Sequence, residues 1–140
     1  MSTKKSSADN RSEKSSAEIL TGASRVVVKV GSSLLIDKST GQLNRVWLES
    51  LAGELQQMLA QGQQVILVSS GAIALGRAYL ELNADQNRLE EHQAAAAAGQ
   101  VILAHGYQEL MGAHAVKVAQ VLVTMDDTEN RRRYLNARNT

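Results

Sequence analysis

Val26-Val27-Val28-Lys29-Val30-Gly31-Ser32-Ser33 and Val65-Ile66-Leu67-Val68-Ser69-Ser70-Gly71-Ala72 are the two stretches that decide how this chain is organised. Each is an apolar run of the kind buried in a sheet, and each breaks into small residues with free backbone N–H groups. Between them, Trp47, Leu48, Leu51, Leu55, Met58 and Leu59 recur at helical spacing, and Gly62 follows as a stop. Strand, crossover helix and strand in that order make a parallel unit. The two glycine turns are therefore expected at one edge of a parallel sheet, where α/β proteins bind anionic ligands.

The alternation continues outward from this unit. A short helix is expected over Ile73 to Leu80 and a longer one over Asn87 to Met111, carrying the alanine run Ala94 to Ala98. Val116 to Val123 reads as a third strand closing at Thr124-Met125-Asp126-Asp127, with helix from Thr128 onward. The fold class predicted is α/β, a three-layer αβα sandwich with a mainly parallel sheet. Residues 1–24 are rich in Ser, Lys, Asp, Asn and Glu and read as a disordered leader, leaving 25–140 as the folded part. A transit peptide would not carry Asp9, Glu13 and Glu18, and there is no apolar signal core.

Composition narrows the function classes. The 140 residues are 44% hydrophobic and 21% charged, ordinary for a soluble globular chain. A net charge of +1 supplies no field for nucleic acid, and the one cationic cluster, Arg131 to Arg133, is flanked by Asp126, Asp127 and Glu129. No apolar run is long enough to cross a bilayer. The absence of cysteine removes disulfides and thiolate metal sites and fits a reducing, cytoplasmic setting. His92, His105 and His114 show no metal-ligand spacing, so no protein metal site is expected.

Lys29 is the residue most suggestive of chemistry. Strand alternation puts Val27, Lys29 and Gly31 on one face, so the ammonium and the first glycine turn share a space suited to phosphate. A lysine at a solvated strand edge is the plainer account of the same residue. Gly31-Ser32-Ser33 lacks the spacing of a P-loop and of a dinucleotide fingerprint. Ser69-Ser70-Gly71-Ala72 is the stronger turn, because small residues continue through Ala74 and Gly76 and leave room for a ligand at a helix start. Arg77 is either a second anion partner or a solvated helix arginine, and helix capping accounts for Asp126 and Asp127 without function.

Taken together, residues 27–33, 68–77, Ala97 to Gln100 and Tyr134-Leu135-Asn136-Ala137-Arg138-Asn139-Thr140 resemble the bacterial glutamate 5-kinases, within the amino acid kinase family. The resemblance runs from about Arg25 to Thr140. It implies transfer of the γ-phosphoryl group of ATP, with Mg²⁺ carried by the nucleotide, to the side-chain carboxylate of L-glutamate in proline biosynthesis. It implies that Lys29 touches the transferring phosphoryl group, that Gly31 and Ser32 offer it backbone N–H groups, and that Ser70, Gly71 and Ala72 hold glutamate. It further implies a homo-oligomer at full length and proline as feedback inhibitor. The family continues into a nucleotide half with a second lysine, so the expectation here is an acceptor half, inactive alone. The alternative is a short non-catalytic paralogue that binds or regulates a full-length kinase.

Overall fold

A computed structural model describes residues 15–82 and 88–139. The elements in chain order are α1 (Ser16–Gly22), β1 (Arg25–Val30), α2 (Ser32–Leu35), α3 (Arg45–Ala60), β2 (Gln64–Ser69), α4 (Ala72–Tyr79), α5 (Leu89–Ala113), α6 (Met125–Glu129) and α7 (Arg131–Asn139). The fold is mixed α/β, and the two strands among the described residues pair in parallel from Arg25 opposite Gln64 to Val30 opposite Ser69. That register brings both glycine turns to the same end of the sheet.

One face of the strands forms the core. Val28, Val30, Val65 and Leu67 pack beneath Leu48, Leu51, Ala52 and Leu55 of α3 and Leu103, Tyr107, Leu110 and Met111 of α5. The opposite face carries Val27, Lys29, Ile66 and Val68, all exposed among the described residues. Period-2 alternation sorts the side chains this way, so every second strand residue turns to the helices, Val30 fully buried and Val28, Val65 and Leu67 half-buried. At α3, the Asn44 side chain accepts the Trp47 N–H as N-cap, and Gly62 closes the exit at φ 82°.

The tightest packing is between α4 and α5, which run antiparallel with almost no side chain between them. A Cβ on Gly76 would lie 1.8 Å from the Ala95 carbonyl oxygen, and one on Gly99 would lie 1.7 Å from that of Ala72. Gly76, expected to leave room for a ligand at the helix start, instead lies against α5 and with Gly99 sets the distance between two backbones. Past the start of α4, α5 continues to the end of β2, where the Tyr107 hydroxyl donates to Ser69 Oγ at 2.9 Å.

Three sequence expectations are modified. Val116 to Val123 is not a strand: the chain leaves α5 through Ala115 at φ 57° and runs on without a ladder partner among the described residues. Val121, Leu122 and Val123 are 53–69% exposed. Apolar β-branched composition fits a residue for a pleated surface but does not provide the neighbouring strand that its N–H and C=O groups need. The last part of the proposed leader, 15–24, holds α1, where Ser15 and Glu18 form a capping box and Gln63 Nε2 donates to the carbonyls of Leu20 and Ala23. The terminal helix is split at Asn130 into α6 and α7. Residues 1–14, the Asn87 start of the long helix and Thr140 lie outside the described residues.

Candidate functional site

The two glycine turns meet. Gly31 is the N-cap of α2 in extended conformation, and Gly71 is the N-cap of α4 at φ 108°. A Cβ built on Gly71 would stand 3.0 Å from Leu35 Cδ2, 3.4 Å from Ile36 Cδ1 and 3.5 Å from Ser32 Cβ. Gly71 is thus doubly constrained to glycine, by its left-handed backbone and by the first turn packed against it. Hydrogen bonds join the same two segments: Ser70 N donates to the Val30 carbonyl at 3.1 Å, and Ser70 Oγ donates to that oxygen at 3.3 Å.

Lys29 lies on the open face of β1, opposite Val68 in the ladder, two residues before Gly31. Its ammonium is in water, so the cost of burying a charge among valines does not arise. Ser32 and Ser70 are exposed, while Gly31, Gly71 and Ala72 are half-buried. The first turn of α4 leaves backbone N–H groups without intrahelical partners, and no side chain caps them. A cation, two hydroxyls and uncapped N–H donors thus lie at one sheet end, a set of groups whose chemistry suits an anion.

Other singled-out residues fall elsewhere. Arg77 is in the last turn of α4. Asp127 caps α6 in a reciprocal bond with Thr124, and those hydrogen bonds hold its carboxyl below the ordinary value. His114 Nε2 is 2.7 Å from Glu49 Oε1, tying the end of α5 to α3. Among the described residues no three His, Cys, Asp or Glu side chains gather as metal ligands.

Sequence reasoning missed Ser69 and Tyr107. Ser69 looks like one more small residue in the turn, yet its hydroxyl donates to the Ser70 carbonyl at 3.3 Å while accepting from Tyr107. Burial pushes the Tyr107 phenol above its usual range. The available signal was spacing: Leu103, Tyr107 and Leu110 lie on one helix face, so the single polar tip on that stripe requires a buried partner.

Residues 24–140 match the model of the amino acid kinase family. The chain is similar to the glutamate 5-kinase of Paramagnetospirillum magneticum, 58% identical over 121 residues, which cover 86% of this chain and 32% of that protein. It is also similar to the glutamate 5-kinases of Rhodospirillum rubrum, at 55% over 113 residues (81% and 30%), and of Brucella ovis, at 56% over 116 residues (83% and 30%). The chain spans about a third of the length of these curated relatives.

Proposed function

The chain belongs to the amino acid kinase family, and from that premise we propose that its paired glycine turns form the phosphoryl-acceptor side of a glutamate 5-kinase. The reaction is ATP-dependent phosphorylation of the side-chain carboxylate of L-glutamate, the first step of proline biosynthesis. The observation that carries the proposal is the contact of Gly71 with Ser32, Leu35 and Ile36, which brings a donor-rich turn for a carboxylate against a donor-rich turn for a phosphoryl group.

In this assignment glutamate sits over Ser70, Gly71 and Ala72, its carboxylate held by the hydroxyl and the uncapped N–H groups of the α4 first turn. Its side-chain carboxylate is ionised at neutral pH and needs no general base. One of its oxygens bonds to the γ-phosphorus of ATP as the bond from that phosphorus to the leaving diphosphate oxygen breaks, giving ADP and an acyl phosphate. Lys29 and the N–H groups of Gly31 and Ser32 face the transferring group and stabilise its charge, since positioning and electrostatics supply most of phosphoryl-transfer catalysis. Mg²⁺ comes with the nucleotide. The Ser70 hydroxyl, bonded to the Val30 carbonyl in the free site, turns to the ligand on binding.

Because the chain covers about a third of its relatives, we assign it only the acceptor side and expect these 140 residues alone to show no glutamate-dependent ATP turnover. Titration of the chain with L-glutamate tests the assignment. Saturable binding, weakened by Ser70→Ala and abolished by Gly71→Val, is expected, and a folded sample that binds no glutamate overturns it. Turnover with ATP and Mg²⁺ would overturn the acceptor-only assignment, and Lys29→Ala should then lower it by about 10²–10³, the usual cost of removing one transition-state donor.

A further inference from the structure

The acceptor turn is held by a relay of hydroxyls that begins on another helix. Tyr107 of α5 donates to Ser69 Oγ at 2.9 Å, and Ser69 Oγ donates to the Ser70 carbonyl at 3.3 Å. That carbonyl and the Gly71 N–H belong to one planar trans peptide, so fixing the direction of the first fixes the second, pointing the opposite way. Gly71, at φ 108°, is the residue type least able to choose this direction by itself, because glycine tolerates both signs of φ.

Each link has an independent anchor. Ser70 is fixed on its N-terminal side by the bond from its own N–H to the Val30 carbonyl, which leaves the 70–71 peptide as the free torsion of the turn. A serine hydroxyl alone rotates among staggered wells, and the bond from Tyr107 selects one. The Tyr107 ring packs against both core clusters, so its oxygen is placed by the α5 core and not by solvent. The same helix meets the Ala72 carbonyl through Gly99, one residue beyond the peptide in question. Donors polarise one another along such a chain, which makes the last bond sensitive to the first.

Resting on the glutamate-site assignment above, we propose that Tyr107 is a positioning residue for the acceptor site: through Ser69 it sets the plane of the Ser70–Gly71 peptide and aims the Gly71 N–H at the bound carboxylate. Tyr107 touches no substrate. Its action is confined to the direction of one donor.

The test uses the ¹⁵N-labelled 140-residue chain with Tyr107→Phe, Ser69→Ala and the double variant. The ¹H–¹⁵N shifts of the Gly71 and Leu75 amides are read, and each protein is titrated with L-glutamate. In Tyr107→Phe the Gly71 amide resonance should shift as the Ser70 carbonyl loses its fixed partner, and glutamate should bind more weakly by about 2- to 12-fold, the range of one net hydrogen bond. Leu75, whose N–H is bonded to the Gly71 carbonyl inside α4, should be unchanged. Adding Tyr107→Phe to Ser69→Ala should have no further effect on Gly71, whereas a packing role would add in full and would also move Leu75. An unchanged Gly71 amide in Tyr107→Phe, or additive substitutions, overturns the proposal. If the parent chain binds no glutamate, the glutamate assignment fails, and the Gly71 amide still decides the role of Tyr107.

Discussion

Three glycines in α5 differ only in what a methyl group would meet, and together they make a stringent test of the packing. On Gly99 the added carbon would lie 1.7 Å from the Ala72 carbonyl oxygen, 2.6 Å from its carbon and 2.7 Å from Gly76 N. All three are backbone atoms and cannot swing away, so α4 and α5 must separate by more than an ångström. Overpacking costs about 1–3 kcal/mol, and a clash with backbone belongs at the top of that range. Against it stands the helix-propensity gain of Gly→Ala, about 1 kcal/mol. The net loss for Gly99→Ala is then about 2 kcal/mol, or roughly 8 °C in Tm for a domain of this size. On Gly106 the carbon would meet Leu43 Cδ1 at 2.3 Å, a side-chain end that can rotate aside, so the two effects nearly cancel. On Gly112 nothing lies within 4 Å, and the variant should gain up to about 1 kcal/mol. Urea and thermal melts should order the stabilities Gly112→Ala, parent, Gly106→Ala, Gly99→Ala. A Gly99→Ala chain as stable as the parent would refute backbone contact between α4 and α5.

Other outcomes follow from the same structure. Glu109 is held below its ordinary carboxyl value of 4.5 by its hydrogen bond and charge interaction with Arg45. A depressed folded value means that the contribution is fully present above the unfolded value and is lost as pH falls below about 4.5 through the folded one. Glu109→Gln should therefore lower the melting temperature slightly near pH 7, where the contribution is present, and the difference from the parent should disappear as pH falls through that window. The open face of β1 and β2, with Val27, Ile66 and Val68 at 48–61% exposure, together with Val121 to Val123, should drive self-association. Sedimentation should show it reduced by Ile66→Lys, and a parent chain that stays monomeric at high concentration would count against this. Asn44→Ala removes the α3 cap on Trp47 N and should cost about 0.5–2 kcal/mol in a urea melt, largely recovered by Asn44→Asp.

The parallel β1–α3–β2 unit and both glycine turns are legible in the sequence, because apolar period, helical spacing and turn residues are local signals that agree. The sequence also singled out Lys29 beside Gly31 by strand alternation alone. It overreached at Val116 to Val123, where composition described a strand but pairing, a property of two segments, was not written in one. Three features come from the packing of distant segments: Gly71 rests on Ser32 and Leu35, Gly76 and Gly99 bring two helix backbones into contact where Gly76 had suggested room for a ligand, and Tyr107 reaches Ser69 across 38 positions of chain. These facts depend on where an antiparallel helix happens to pass. The information lies in distances between residues remote in sequence, which no local period encodes.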